Sequence, residues 1–327
     1  MNLSIVIPVL NEEASLNELV RRIDDVANRT GYAMQIVFVD DGSTDRSWEI
    51  IRQLASSSAT ASSSPIEGIR FRRNFGKAAA LTAGVEAANG DYIVTMDADL
   101  QDDPNEIPRL IEKMEAGFDV VSGWKKERHD PWHKVWPSRL FNWMVSRLTN
   151  VVLHDHNCGL KAYRKEVFQE VRIYGEMHRF IPVLAASRGW RVTELVVQHH
   201  PRQHGVSKYG FTRFFKGFLD LFTVYFLTGY QQRPQHLLGT IGLLSFGLGT
   251  ALLMVLTLCW AVTRIVPGME PIHLHERALF FYAILGLLFG VQLLSAGFLA
   301  ELIVASDRPQ QMPFSVSERT HARRDSN

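Results

Sequence analysis

Two long apolar runs towards the end of the chain restrict its fold more than any other feature. Residues 237–262 contain no charged side chain, and neither do residues 278–300. At about 1.5 Å per residue, each run forms a helix longer than the ~30 Å apolar core of a bilayer. Helices of soluble cores rarely run this far without a charge. The sequence therefore predicts a C-terminal hairpin of two membrane spans, at about 237–262 and 278–304.

Arginines around this hairpin predict its orientation. The linker between the spans holds Arg264 and Arg277, and Arg233 precedes the first span. Four more arginines follow the second span: Arg308, Arg319, Arg323 and Arg324. By the positive-inside bias, both termini are then cytoplasmic. The first residues, MNLSIVIPVL, have the pattern of a buried strand and not of a signal peptide. We therefore expect a two-span protein of the inner (cytoplasmic) membrane with its N-terminal domain in the cytosol.

A repeated strand–helix pattern occupies the first half of the chain. Strand-like runs lie at 3–9, 35–39, 66–71 and 92–96. Helical patterns follow them at 12–28, 45–55, 77–88 and 105–116, and the serine-rich stretch 56–65 has the composition of a surface loop. The alternation predicts an α/β fold, with a mostly parallel sheet and helices on both faces. In such a sheet, ligands bind outside the carboxyl ends of the strands.

These patterns divide the chain into four parts. Residues 1–210 mix charged and apolar residues as a soluble α/β domain does, and residues 233–306 contain the hairpin. Between them, residues 211–232 carry phenylalanines at helical spacing, which predicts an amphipathic helix in the membrane interface. The stripe consists of Phe211, Phe214, Phe215, Phe218, Phe222 and Phe226. Residues 307–327 are predicted to be a disordered cytoplasmic tail.

Overall composition gives little further indication of a partner. The formal net charge is +1, so bulk charge does not point to nucleic acid. Two cysteines form no disulfide framework, which fits a reducing compartment.

Small residues recur at four-residue spacing in both apolar runs. Gly286 and Gly290 lie in the second run, and Ser245 and Gly249 in the first. Such spacing lets helix backbones approach closely. It predicts contact either within the hairpin or between two copies of the chain as a homo-oligomer.

Four carboxylates crowd the segment MDADLQDDP, residues 96–104, directly after the fourth strand-like run. Asp97 and Asp99 have a spacing that lets both side chains face one hard cation, and Gln101 offers a neutral oxygen on the same side. Mg²⁺ and Mn²⁺ prefer such oxygen ligands, so the segment predicts a divalent metal cofactor. The two aspartates before Pro104 suit the start of a helix, where one of them caps it.

Seven segments resemble a known family. In chain order, SIVIPVLNEE, VDDGSTD, RNFGKAAAL and MDADLQDDP are similar to the motifs of family 2 glycosyltransferases of the GT-A fold. DHNCGLKAYRKEV, GEMHRFIPVLA and PRQHGVSKYG, together with two C-terminal spans, resemble the polyprenyl-phosphate glycosyltransferases. That group includes dolichyl-phosphate mannosyltransferase and undecaprenyl-phosphate sugar transferases. The specific motifs cover roughly residues 1–230, and the hairpin matches by topology only.

This resemblance implies a UDP- or GDP-sugar donor and a set of residues that bind it. The donor-binding set is Pro8, Leu10, Glu12, Val39, Asp40, Asp41, Asp97, Ala98, Asp99, Lys125, Arg202 and Lys208. Of these, Asp97 and Asp99 hold the metal together with Gln101, and Arg202 and Lys208 lie in a basic loop that closes over the diphosphate. Where the family often has an arginine after the fifth strand, this chain has Lys125. A lysine cannot form the bidentate fork of an arginine.

The resemblance also implies a polyprenyl phosphate acceptor at the bilayer surface. Lys125, Arg128 and Arg139 are expected to bind its phosphate. Asp155 is the expected catalytic carboxylate, with Asp99 as its partner at the metal. A phosphomonoester has a second pKa near ~6 and is largely ionised at pH 7. Asp155 therefore acts either as a base or as a residue that orients the acceptor.

The sequence thus predicts an inverting glycosyltransferase that transfers a sugar to a polyprenyl phosphate at the cytoplasmic face of the membrane. One alternative is a processive polysaccharide synthase, although its Gln-x-x-Arg-Trp signature is not matched by QQRPQ at 231–235. The other is a catalytically silent membrane scaffold that binds nucleotide sugars.

Overall fold

The computed structural model describes residues 1–61, 64–126, 132–171, 173, 177–200, 212–230 and 234–306. The predicted tail, 307–327, lies outside these residues. The chain divides into two compact units, Met1–Thr228 and a second unit that begins at Gly229. The first is an α/β unit and the second is a pair of long helices.

A single seven-stranded sheet forms the centre of the first unit, in the order β3-β2-β1-β4-β6-β5-β7. Its strands are β1 Asn2–Val9, β2 Ala33–Asp40, β3 Ile66–Arg70, β4 Tyr92–Thr95, β5 Val120–Trp124, β6 Lys161–Arg164 and β7 Val192–Val196. All neighbours are parallel except those of β6, which runs antiparallel to both β4 and β5. The predicted α/β class with a mostly parallel sheet is confirmed, and the four strands expected from the sequence lie within two residues of their predicted bounds.

Ten α-helices are present in the described part of the chain. They are α1 Leu16–Thr30, α2 Ser47–Ala61, α3 Lys77–Ala87, α4 Ile107–Glu115, α5 Trp132–Thr149, α6 Val167–Glu170, α7 Ile181–Ser187, α8 Thr212–Tyr230, α9 Pro234–Ile265 and α10 Ala278–Ser306. The loop expected at 56–65 is wrong for its first part, because α2 continues to Ala61. The hydroxyl groups of Ser56 and Ser58 donate to the carbonyls of Arg52 (2.8 Å) and Ala55 (2.9 Å), so the helix satisfies these serines internally.

Apolar side chains pack on both faces of the sheet. One face is covered by α1 and α4, whose buried residues include Leu19, Ile23 and Leu110. The other face packs against α3 and α7, through residues such as Leu81 and Ile181. The strands carry apolar residues on both faces because both are covered, as in other parallel sheets. This two-sided burial leaves the strand ends as the place for polar residues.

Helix α8 packs against the rest of the first unit along one side. Leu221 and Val224 of α8 are buried in a cluster with Phe141 and Val145 of α5. On the stripe predicted from the sequence, Phe222 is exposed. The helix therefore buries one apolar side while it exposes another.

The second unit is a hairpin of α9 and α10. In each helix an 18-residue stretch has a mean hydropathy of 2.1, and only 11% of that stretch is buried. They pack through small residues: a Cβ atom added to Gly249 would lie 2.7 Å from Ala283 O, and the Ser245 hydroxyl donates to Gly286 O at 2.8 Å. The small residues predicted to mediate close contact thus meet within the hairpin, and contact between copies stays a prediction. By length and composition, both helices suit a membrane.

Candidate active site

Most of the predicted site residues that the structure describes lie at the carboxyl edge of the sheet. Strands β1, β2, β4 and β5 end there, and each is followed by a polar segment. Because β6 is antiparallel, its first residue, Lys161, lies at this same edge beside Thr95 and Ser122. The loop that contains Asp155 therefore arrives next to the ends of β4 and β5. The antiparallel strand brings the two halves of the site together.

Asp41, after β2, binds backbone amides of the loop that follows β3. Its Oδ1 accepts a hydrogen bond from Phe75 N (2.7 Å), and its Oδ2 accepts one from Gly76 N (3.0 Å). Burial raises the pKa of Asp41 above its usual value, against these hydrogen bonds. Next to it, Gly42 has a φ of +76° and lies so close to Arg73 that a Cβ would be 2.6 Å from its carbonyl carbon. Asp41 and Gly42 thus hold the loop after β3 against the end of β2.

The remaining residues of the predicted nucleoside pocket differ in what they can offer. Asp40 is fully buried; its Oδ1 accepts from Ser43 N (2.9 Å) and its Oδ2 pairs with Arg70 Nε (3.2 Å). Val39 is also fully buried in the core, so only its main chain can meet a ligand. On the neighbouring strand end, the half-buried positions are Pro8, Leu10 and Glu12.

Asp97 is held by a lysine that the sequence did not mark as functional. Lys77 Nζ, at the start of α3, forms an ion pair and hydrogen bond with Asp97 Oδ1. Burial raises the pKa of Asp97, but the charges of Lys77 and Lys125 outweigh it and keep this pKa below its usual range. On its other side, Asp97 touches Gly159, where an added Cβ would lie 2.5 Å from Oδ2. The carboxylate therefore sits between an ammonium group and a glycine.

A tight turn after Asp97 brings Asp99 and Gln101 together. Leu100 has a φ of +61°, and Gln101 N donates to Asp99 Oδ1 at 3.2 Å. The Gln101 side-chain nitrogen lies 3.4 Å from His199 Nε2 and donates to His200 O at 3.4 Å. Asp99 is buried, as is the adjacent Ala98.

The two following aspartates have separate structural partners. Asp103 Oδ1 accepts from Asn105 N (2.9 Å) and caps the short 3₁₀ helix Pro104–Glu106, as expected for one of this pair. Asp102 Oδ1 pairs with Lys125 Nζ at 3.0 Å. Burial lowers the pKa of Lys125, but Asp102 and other nearby charges raise it above its usual value. Lys125 therefore lies inside the carboxylate cluster and neutralises part of it.

Asp155 lies buried in the loop before β6. Its Oδ1 accepts from Asn157 N at 3.0 Å. Lys161 Nζ donates to His156 O (3.0 Å), and burial lowers the pKa of Lys161 to about 8. Burial together with Lys161 lowers the pKa of His156 to about 3, so this histidine is neutral. After Lys77, Lys161 is a second lysine that the sequence reasoning did not single out, and it is buried.

The basic residues expected around the phosphates are described only in part. Arg139 is exposed on α5. Arg128, Arg202 and Lys208 lie outside the described residues.

A match to a family model identifies the protein family. The profile described as "Glycosyl transferase family 2" matches residues 4–172, which include every strand end from β1 to β6. The chain belongs to glycosyl transferase family 2. It is a glycosyltransferase, as the sequence predicted.

Curated relatives of this family 2 glycosyltransferase match nearly its whole length. It is 38% identical to a dodecaprenyl-phosphate galacturonate synthase of Rhizobium johnstonii, over 93% of this chain and 88% of that protein. It is 39% identical to an undecaprenyl-phosphate 4-deoxy-4-formamido-L-arabinose transferase of Pseudomonas aeruginosa, over 92% of this chain and 84% of that protein. Both matches are long enough to reach beyond the α/β unit into the hairpin.

Solved structures support the fold. A Mycobacterium tuberculosis glucosyl-3-phosphoglycerate synthase, in complex with Mn²⁺, UDP and phosphoglyceric acid, superimposes with a TM-score of 0.51. The likeness covers 69% of this chain and 78% of that one at 18% identity. At this identity it shows the GT-A fold, in agreement with the sequence-based prediction.

Proposed function

We propose that this glycosyltransferase transfers a sugar from a UDP- or GDP-sugar to a polyprenyl phosphate, with inversion, at the cytoplasmic face of the membrane. One observation carries the proposal. Two relatives that match over more than nine-tenths of the chain differ in the sugar they transfer, but both names specify a polyprenyl phosphate. The acceptor class is what they share, and we assign it to this chain.

The donor is proposed to bind along the ends of β1, β2 and β4. Asp41 retains acceptor lone pairs beyond those used by Phe75 and Gly76, and these suit an N–H of a nucleobase. Half-buried Pro8, Leu10 and Glu12 would line the same pocket. Buried Asp40 would stabilise the loop beside it through its contact with Ser43 N. The diphosphate then extends towards Asp97 and Asp99.

A divalent metal fits the carboxylate segment by the chemistry of its donors. No group of three His, Cys, Asp or Glu side chains that could hold a metal is found among the described residues. Mg²⁺ needs no such group, since it is usually held by one or two carboxylates together with substrate phosphates. Asp97, Asp99 and Gln101 would supply oxygen donors, and the ammonium of Lys77 already occupies a cation position at Asp97. When bound, Mg²⁺ or Mn²⁺ would offset the charge of the leaving diphosphate.

The acceptor is proposed to enter from the membrane side of the first unit. α5 exposes Trp143 to 63% and α8 exposes Phe222 to 57%. Aromatic side chains of this exposure on two neighbouring helices suit the interface of a bilayer. Arg139, exposed on α5, would bind a phosphate whose prenyl tail remains in the membrane. The α9–α10 hairpin would anchor the enzyme there.

The chemical step requires little proton transfer. An oxygen of the acceptor phosphate attacks the anomeric carbon as the bond from that carbon to the nucleoside diphosphate breaks, so the sugar inverts. The phosphate is largely ionised at pH 7 and needs no strong base. Buried Asp155 would therefore orient the acceptor side of the site through its loop, where it already accepts from Asn157 N.

Transfer of radiolabel from a panel of UDP- and GDP-sugars to a short-chain polyprenyl phosphate tests the proposal directly. We expect label in the lipid fraction, dependence on a divalent ion, and loss of both in Asp99→Asn. Asp103→Asn is the matched control in the same acidic segment, because asparagine also caps a helix. It should retain activity. Metal-independent activity in Asp99→Asn would refute the metal assignment, and transfer to a soluble sugar alone would refute the acceptor class.

A further inference from the structure

The imidazole of His154 is held by two residues at the rim of the active site. Its Nδ1 forms a hydrogen bond with Glu194 Oε1, and its backbone N donates to Glu194 Oε2 at 2.7 Å. The ring stacks on Trp124 with centroids 4.0 Å apart and planes 12° apart. His154 belongs to the loop before β6, Trp124 to β5 and Glu194 to β7. Two strands thus fix the orientation of one loop side chain.

Structural stabilisation does not account for this arrangement. The His154 side chain is 57% exposed, and ion pairs of exposed groups contribute little to stability. Glu194, only 18% exposed, lies behind the ring and holds Nδ1. Of the residues that the structure describes, none hydrogen-bonds Nε2. A carboxylate behind Nδ1 orients an imidazole. The arrangement presents Nε2 to solvent in a fixed orientation.

The surroundings of His154 indicate an anionic ligand. Its backbone carbonyl accepts from Asn142 Nδ2 of α5 at 2.8 Å. Arg139 lies three residues earlier on α5, hence on the same side of that helix, and is exposed. Lys126 Nζ lies 5.9 Å from the centre of the Trp124 ring. The two cationic side chains are thus neighbours of groups that contact His154, Arg139 of Asn142 and Lys126 of the Trp124 ring.

We propose that His154 binds the phosphate of the acceptor through Nε2, with Glu194 and Trp124 as positioning residues. This inference rests on the proposed function, since it specifies how the acceptor is held. The donor diphosphate is assigned to the end of β4, near Lys77 and Asp97, and β6 separates β4 from β5. His154 directly precedes Asp155, which explains how a buried aspartate influences the acceptor: it belongs to the loop that carries the phosphate-binding histidine.

Steady-state kinetics with each substrate varied in turn tests the assignment. In His154→Gln the ring and its Nε2 are lost, and a hydrogen bond to a charged phosphate corresponds to roughly a tenfold or greater change. We expect the acceptor KM to rise by about tenfold or more while the donor KM is unchanged. Glu194→Gln should raise the acceptor KM in the same direction but by less. His275→Gln is the matched control, because His275 Nε2 lies 3.8 Å from Glu276 in the second unit, and both KM values should remain the same.

Protection of the wild-type protein provides a second readout that needs no variant. Diethyl pyrocarbonate modifies accessible imidazoles, and peptide mass spectrometry locates the modified histidine. A short-chain polyprenyl phosphate should protect His154, whereas the donor and anionic phospholipid vesicles should not.

Three results would overturn the inference. An equal rise in both KM values would indicate structural damage, an unchanged acceptor KM would show that the contact is not made, and protection by vesicles alone would assign His154 to lipid headgroups. Failure of the proposed function is distinguishable, because the wild type would then form no lipid-linked product in the first measurement.

Discussion

Gly159→Ala should impair the active site while leaving the fold intact. A Cβ at this position would lie 2.5 Å from Asp97 Oδ2 and 2.7 Å from its Cγ. An ordinary van der Waals contact begins near 3.4 Å, so the carboxylate must move by about 0.9 Å. Because the φ of Gly159 lies outside the left-handed region, the backbone itself tolerates alanine.

The geometry predicts a large loss of transfer rate but a small loss of folding stability. Asp97 is 34% exposed and can shift towards solvent, so little overpacking strain is expected. Alanine also lowers the entropy of the unfolded chain, which offsets part of any strain. A displacement of about 1 Å in a catalytic group costs about 100-fold in rate, or about 2.7 kcal/mol in the activation free energy. The ion pair between Lys77 and Asp97 should weaken at the same time.

Three measurements on purified protein check this prediction. Mn²⁺ binding in the presence of nucleotide, followed by electron paramagnetic resonance, should weaken; the transfer rate should fall by about 100-fold; and the thermal unfolding midpoint should stay within a few degrees of the wild type. Gly229→Ala is the control, because a Cβ there meets no atom within 4 Å. Unchanged metal affinity and rate in Gly159→Ala, with a wild-type midpoint, would refute the placement of Asp97 in the site.

Other perturbations test the fold around the site. Burial lowers the pKa of His156 to about 3, below its value near 6.5 in the unfolded chain. The contribution of neutral His156 to the free energy of unfolding is therefore complete above pH ~6.5. Below this pH it falls by about 1.4 kcal/mol per pH unit. His156→Gln should flatten the loss of thermal midpoint between pH 7 and pH 5, and an unchanged pH profile would contradict this. Gly42→Ala should lower the free energy of unfolding by about 1–3 kcal/mol, measured in denaturant, because φ is +76° and the Cβ would lie 2.6 Å from the Arg73 backbone. Gly290→Leu should lower the melting temperature of the detergent-solubilised protein, because a Cβ at this position would lie 2.5 Å from the backbone of the facing helix. Gly247→Leu is the control: a Cβ there has open space around it, so the melting temperature should not change.

The first half of the fold was predictable because its signals are local. β1, β2 and β4 are mostly apolar runs that end in a polar cluster, and α3 begins at Lys77 as its pattern indicated. The later strands gave no such signal. β6 has only four residues, and its position between β4 and β5 depends on pairing across the whole sheet. Local periodicity contains no information on such pairing.

The candidate site shows the same limit at the level of single residues. The carboxylates at Asp97 and Asp99 are visible in the sequence because they are crowded. Their compensating charges are not, since Lys77 lies 20 residues before Asp97 and reaches it only through the fold. Glu194 is a further example, because an isolated glutamate in a strand gives no indication that it holds His154. Ion pairs and hydrogen bonds over long sequence separations require the structure.

During synthesis, β4 remains unpaired on one side until the antiparallel strand β6 has been made. Thr95 of β4 pairs with Lys161, 66 residues later, and β5 cannot take that place because it pairs on the far side of β6. At roughly 5–20 residues per second, β4 remains an open edge for about 3–13 seconds after it leaves the ribosome. An unpaired edge strand is a template for aggregation. During that interval, the negative charge of the acidic segment that follows β4, together with chaperones, would keep β4 from pairing with another chain.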